Sequence, residues 1–196
     1  MKEIYNEIWR LAKPYYEKGR PMDIDHIEWM IRDSSFVCKK EGIDDSLLLP
    51  LVILHDVGYA EVSKDNPFKL DLRKAHMKAG ASITKRILEE LNYSAEKREK
   101  IEYYVSVHDN WALGENDLYN NDKVLGTFND LDYMWMVTPK GFPALMKILG
   151  KNEGEMLRYL EENDKPMLRP FSTETTKNLY EGYMGERRGE VFGLKG

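Results

Sequence analysis

The 196-residue chain has a single cysteine, Cys38. One thiol excludes an internal disulfide and any metal centre built from several thiolates, and Cys38 itself reads as a small buried helix residue. Long apolar runs are also missing. The longest, LLLPLVIL from Leu47 to Leu54, falls well short of the roughly 20 residues needed to cross a bilayer. The amino terminus, MKEIYNEIWRLAKPYYEK, carries Glu3 and Glu7 and has no clean apolar stretch, so it does not read as a signal peptide. No membrane association and a cytoplasmic location are expected. Positive charge is in deficit, with 29 Lys and Arg against 34 Asp and Glu for a net charge of −5, which argues against binding a nucleic-acid duplex. A phosphate substrate would need locally placed cations, metal ions among them. Strand signals, internal repeats and low-complexity tracts are almost absent.

What the chain does have is helical periodicity. Ile4, Ile8 and Leu11 predict a short first helix ending before Pro14. Ile24, Ile27, Met30, Ile31 and Val37 predict a second that stops near Gly42, with Asp45 or Ser46 capping a third. Pro50 keeps the third segment from being a central strand but is tolerated near the first turn of a helix. A polar loop with an Asn-Pro break follows, from Glu61 to Leu72. Met77, Ile83, Ile87 and Leu91 then mark a long helix, and Ala95 to His108 its partner. After a loop in GENDLYNND, Val124, Leu125, Phe128, Leu131 and Met134 describe another helix. Two or three more follow Thr138, and the tail GERRGEVFGLKG reads as loosely ordered. The expected fold is all-α: a helical domain over 1–137, and a helical extension over 138–196 packed on it. Trp29, Trp135, Tyr103 and Tyr104 sit at helical spacing and are expected in the core. Trp111 is the candidate pocket wall.

The four histidines, His26, His55, His76 and His108, each fall on or at the end of a different predicted helix. His55 closes the apolar run beside Asp56, and His108 closes the pattern Ile101, Tyr104, Val105 beside Asp109. Consecutive side chains on a helix point about 100° apart and cannot share one ion from mid-helix, but at a helix end they can. Gly58 is the expected terminator that leaves the doublet at the rim of a bundle. A bound cation would stabilise a buried carboxylate and a neutral imidazole together. Imidazole with carboxylate suits iron, manganese, cobalt, nickel or zinc, and the absence of thiolates points to a catalytic rather than a structural centre.

This order of motifs resembles the HD-domain superfamily of metal-dependent phosphohydrolases. The resemblance lies in His26 of MDIDHIEWMIRD, the doublet His55 and Asp56 of LLPLVILHDVGY, and an aspartate of FNDLDYMW. It extends to the two-metal subset through His76 of AHMKAGASITKRIL, with the small pair Gly80 and Ala81, and His108 of IEYYVSVHDN. It covers about residues 20 to 137. The family's wording places the final ligand at Asp132, with Asp130 as the fallback. Asp109 stands where the cyclic-dinucleotide subgroup has another histidine, but that subgroup's Gly-Tyr-Pro signature is absent.

The resemblance implies a helical bundle with the metal site at its centre. His26, His55, Asp56 and Asp132 would hold one metal ion, and Asp56, His76 and His108 a second. Asp56 would be the bridging, catalytic carboxylate. It implies a hydrolase that attacks a phosphate ester or anhydride of a small, nucleotide-like substrate with a metal-bridging hydroxide. Two divalent or mixed-valent transition-metal ions are expected, iron or manganese before cobalt, nickel or zinc. Among Lys64, Lys69, Arg73 and Lys74, the two that adjoin His76, Arg73 and Lys74, are the candidate phosphate ligands. The same ligand set also resembles the mixed-valent di-iron oxygenases of the superfamily. In the phosphonate-cleaving member, however, the doublet continues His-Asp-Val-Gly-His, whereas Tyr59 follows Gly58 here. The carboxy-terminal helices are candidates either for covering the site or for a homodimer contact.

Overall fold

Every residue from Leu47 to Leu54 is buried, and a helix apolar on all sides must be enclosed on all sides. In the computed structural model, which describes residues 2–62, 69–162 and 170–193, this helix is α3 (Asp45–Leu54). It packs against α1 (Glu3–Lys18), α2 (Asp23–Glu41) and α5 (Ala95–Val107). Helix α4 (Leu70–Glu90) lies along α5 and against the 3-10 turn Val57–Ala60 that follows α3. Cys38 is buried on α2, and Gly42 ends that helix in the left-handed conformation, φ 65°. Ten α-helices and no strand are found among the described residues, so the chain is all-α, and no helix is long and apolar enough to cross a membrane.

The chain forms two compact units, Met1–Leu118 and Tyr119–Gly196. The first holds α1 to α5. In the second, α7 (Lys123–Met134), α8 (Gly141–Leu149), α9 (Glu153–Glu162) and α10 (Glu174–Phe192) follow the short α6 (Asp117–Asn121), which forms within the stretch expected to be loop. Asp122 caps α7, accepting from the Val124 and Leu125 amides at 2.9 and 3.1 Å.

Two prolines lie inside helices, Pro14 against expectation and Pro50 in line with it. Helix α1 runs through Pro14 to Lys18 because its last turn carries Tyr16, which is buried and donates its hydroxyl to Ile53 O at 2.9 Å. Pro50 lies inside α3, where its missing N–H frees the carbonyl of Ser46. Tyr93 supplies the replacement, its hydroxyl donating to Ser46 O at 2.7 Å. Tyr93→Phe should therefore cost about 1 kcal/mol, the net worth of a typical hydrogen bond. In a Pro50→Ala background, where residue 50 has its own N–H, the loss should shrink. Urea denaturation of the four proteins of this cycle checks it, and equal losses in both backgrounds would contradict the assignment.

Two further expectations change. The tail from Gly185 to Phe192 is helical because Tyr180, Met184 and Arg187 recur at three- and four-residue spacing and bury one face of α10. Tyr103 is 49% exposed rather than core, whereas Trp29 and Tyr104 are buried and Trp135 is half-buried. The Asn-Pro break at 66 and 67, Lys64, and most of NDKPMLRPF lie outside the described residues.

Candidate metal centre

Helix ends leave orphan carbonyls, and the end of α3 uses them to aim His55. The His55 amide donates to Leu51 O at 2.9 Å, its ring Nδ1 donates to Val52 O at 2.9 Å, and Ile53 O takes the Tyr16 hydroxyl. The end of α5 treats His108 the same way, with Nδ1 donating to Val105 O at 2.8 Å. His76, in the second turn of α4, donates Nδ1 to Leu72 O at 3.1 Å. Each ring thereby presents a bare Nε2, the arrangement that prepares an imidazole for a metal.

Those nitrogens converge. His76 Nε2 and His108 Nε2 are 3.1 Å apart, and Asp56 Oδ1 lies 3.3 Å from each. With both Nδ1 atoms protonated, three lone-pair-bearing atoms face a common centre. A single proton can join only two of them, whereas one cation satisfies all three. The spacing fits as well, since two ligands about 2.1 Å from one ion and 90–109° apart lie about 3.0–3.4 Å from each other. The other oxygen of Asp56, Oδ2, turns to His55 Nε2 at 3.5 Å. His26 and His55 in turn offer ring nitrogens within 4.8 Å of one another, their rings 5.7 Å apart and nearly perpendicular. His26, His55, His76 and His108 are all buried, and the Asp56 side chain is 13% exposed. His and Asp side chains of the first unit are thus grouped so that they could bind metal ions.

Without metal, burial and the neighbouring charges set the protonation of these groups. Burial would raise Asp56, but His55, His108 and His76 together hold its carboxyl well below the usual range. Burial, helped by His55, pushes His26 down to about 3. Burial also pulls on His108, but its bond to Asp56 and the nearby Asp109 outweigh this and raise it. These two shifts act oppositely on the metal-free fold. An unfolded chain protonates His26 below about pH 6.5 while the folded one does not, so that stabilisation is present above this pH and is lost as pH falls toward about 3. His108 stabilises below its unfolded value, and the contribution is lost as pH rises through its raised one. The urea midpoint of metal-free protein should drop between about pH 7 and pH 4, and the drop should be shallower in His26→Gln. An identical acid-side slope in both proteins would show that His26 is not held neutral.

Neighbouring elements come unusually close to the doublet. Gly58 sits in the turn after Asp56 and is not the left-handed terminator its position suggests, since α3 already ends at Leu54. A Cβ on Gly58 would overlap the His76 carbonyl oxygen and would lie 2.6 Å from Gly80 N and 2.8 Å from His76 C. The turn from Asp56 and the helix bearing His76 therefore meet backbone to backbone. Tyr59 then stacks flat on His76, ring centroids 4.1 Å apart at 9°, and the Arg20 guanidinium covers Tyr59 at 4.5 Å. Composition and periodicity carry no signal for this three-layer stack.

The remaining candidates occupy different places. Lys74 is exposed, and Lys69 precedes α4 as an exposed residue. Arg73 pairs with Asp109, Nη1 to Oδ2 at 2.8 Å. In the second unit, Asp132 on α7 is half-buried. Asp130 is fully buried, and its Oδ2 accepts from Ser172 N and from the Thr176 hydroxyl, both at 2.7 Å. Asp130 thus ties α7 to the start of α10. No protein-family model, curated protein or solved structure matches the chain.

Proposed function

We propose that the chain is a metal-dependent hydrolase of the HD-domain type, cleaving a phosphate ester or anhydride of a small, nucleotide-like substrate. The observation that carries this reading is the divided aim of Asp56. One of its oxygens faces the His76 and His108 nitrogens and the other faces His55, as a carboxylate shared by two ions requires. His26 and His55 would hold one ion. His76 and His108 hold the other, and Asp56 serves both. Imidazole and carboxylate donors accept iron, manganese, cobalt, nickel or zinc, and the family resemblance puts iron or manganese first. Bound there, the ions supply Lewis acidity, polarising a phosphoryl group and lowering the pKa of water.

The protein's own part is orientation. Backbone carbonyls hold the Nδ1 protons of His55, His76 and His108, so that Nε2 is the ring nitrogen left for a ligand bond when each imidazole is neutral. The Tyr59 ring fixes the plane of His76 and keeps water off that face. Tyr59 also occupies the place where the phosphonate-cleaving oxygenase carries histidine, which weighs against that particular oxygenase. The partner is a small phosphorylated molecule in the cytoplasm, not a nucleic-acid duplex or a membrane.

The test is phosphate release by protein reconstituted with manganese or iron, against nucleotides, dinucleoside polyphosphates and sugar phosphates. At least one class should be hydrolysed, with activity abolished by chelator and restored by metal. Oxygen uptake by a two-iron form, without phosphate release from any class, would replace this reading with the oxygenase.

A further inference from the structure

The end of α5 repeats the end of α3. In both, a histidine bonds the carbonyl three residues back. An aspartate of nearly the same backbone conformation follows, Asp56 at φ −102°, ψ 5° and Asp109 at φ −103°, ψ 8°. A 3-10 turn completes each device, Val57–Ala60 or Asn110–Leu113. The two carboxylates then diverge. Asp56 faces imidazoles. Asp109 faces Arg73, with Oδ2 2.8 Å from Nη1, and Trp111, whose Nε1–H donates to Oδ1 at 3.1 Å. The same Oδ2 lies 3.8 Å from His76 Nε2, so Arg73 is held one carboxylate away from the Asp56, His76 and His108 group.

This pair is unlike the protein's surface ion pairs. Its side chains are 12% and 9% exposed, against 57% and 42% for Arg86 with Glu61. Shielding an ion pair is a poor way to gain stability, because apolar residues in the same space usually do as well or better. A reason for keeping it is an arginine that must stay charged and fixed. The indole of Trp111 spends its single donor on Asp109, while its ring carries the guanidinium at 5.0 Å, and Trp111 is itself 36% exposed, so the clamp reaches solvent. The guanidinium fork can bridge a carboxylate and an oxyanion at once.

We propose that Asp109, with Trp111, is a positioning residue that fixes Arg73 beside the Asp56, His76 and His108 group as the anchor for a phosphate group of the substrate. This rests on the hydrolase reading and adds to it: of the two basic residues adjoining His76, Arg73 is the anchor.

The experiment measures metal content and inorganic phosphate affinity together, by elemental analysis and calorimetry on manganese-loaded protein. Arg73→Gln should keep the wild-type metal content and bind phosphate about 10- to 100-fold more weakly, the weight of a charged hydrogen bond. Arg73→Lys should recover only part of the loss. Asp109→Asn should weaken phosphate binding with metal content unchanged, and Asp109→Glu should restore some of it. A merely structural pair would lower the melting temperature and leave phosphate affinity intact. Wild-type phosphate affinity in metal-replete Arg73→Gln overturns the anchor and leaves the metal centre standing, and loss of metal from both variants also overturns it. A wild-type protein that takes up no metal instead sinks the hydrolase reading beneath it.

Discussion

Asp56→Ala is expected to lose metal from both groups at once and to lower turnover by about a thousandfold or more. A loss of that size corresponds to about 4 kcal/mol of transition-state stabilisation, within the several kcal/mol that a well-placed metal ion supplies. The size follows from geometry, because Asp56 has one oxygen turned to His55 and the other to His76 and His108. His76→Ala and His108→Ala should be milder in stoichiometry, taking occupancy from about two ions to one. Elemental analysis of the three variants, with circular dichroism to verify folding, checks the ranking. Full metal content in a folded Asp56→Ala protein would mean that the carboxylate is not a ligand.

Gly58→Ala should be the most damaging single methyl in the first unit. The added carbon meets backbone on α4, at His76 and Gly80, and no rotamer change can relieve backbone overlap. The loss should reach the upper end for overpacking, about 3 kcal/mol or more. The same displacement would move His76, so metal affinity should fall even under conditions where the variant folds. Gly182→Ala on the exposed face of α10 is the contrast. Its Cβ meets nothing within 4 Å, and alanine there should stabilise by roughly 0.5–1 kcal/mol. Urea midpoints of the two variants decide the matter. A neutral Gly58→Ala would show that the turn and α4 are not in backbone contact.

The helical character and the four histidines at or near helix ends were legible in the sequence, because apolar periodicity and chain punctuation are local signals. The buried run ending in His55 required an enclosed helix, and that helix is α3. What could not be read were long-range substitutions of one hydrogen-bonding group for another. Tyr93 rescues the carbonyl that Pro50 abandons from 47 residues beyond Ser46, and Tyr16 reaches Ile53 from 37 residues before it. Asp130 and Asp132 look alike on paper. Only the partners of Asp130, Ser172 and Thr176, more than 40 residues downstream, reveal it as a tie between helices. The pairing of Asp109 with Arg73 was illegible for a similar reason. A histidine-aspartate doublet does not announce where its carboxylate points, and Arg73 lies a helix away.

The most direct test is an anomalous-scattering map from crystals grown with manganese. A peak about 2.1 Å from His76 Nε2, His108 Nε2 and an Asp56 oxygen is the expected result. A map with no peak there, in crystals where the three atoms keep their separations of 3.1 and 3.3 Å, would contradict the account.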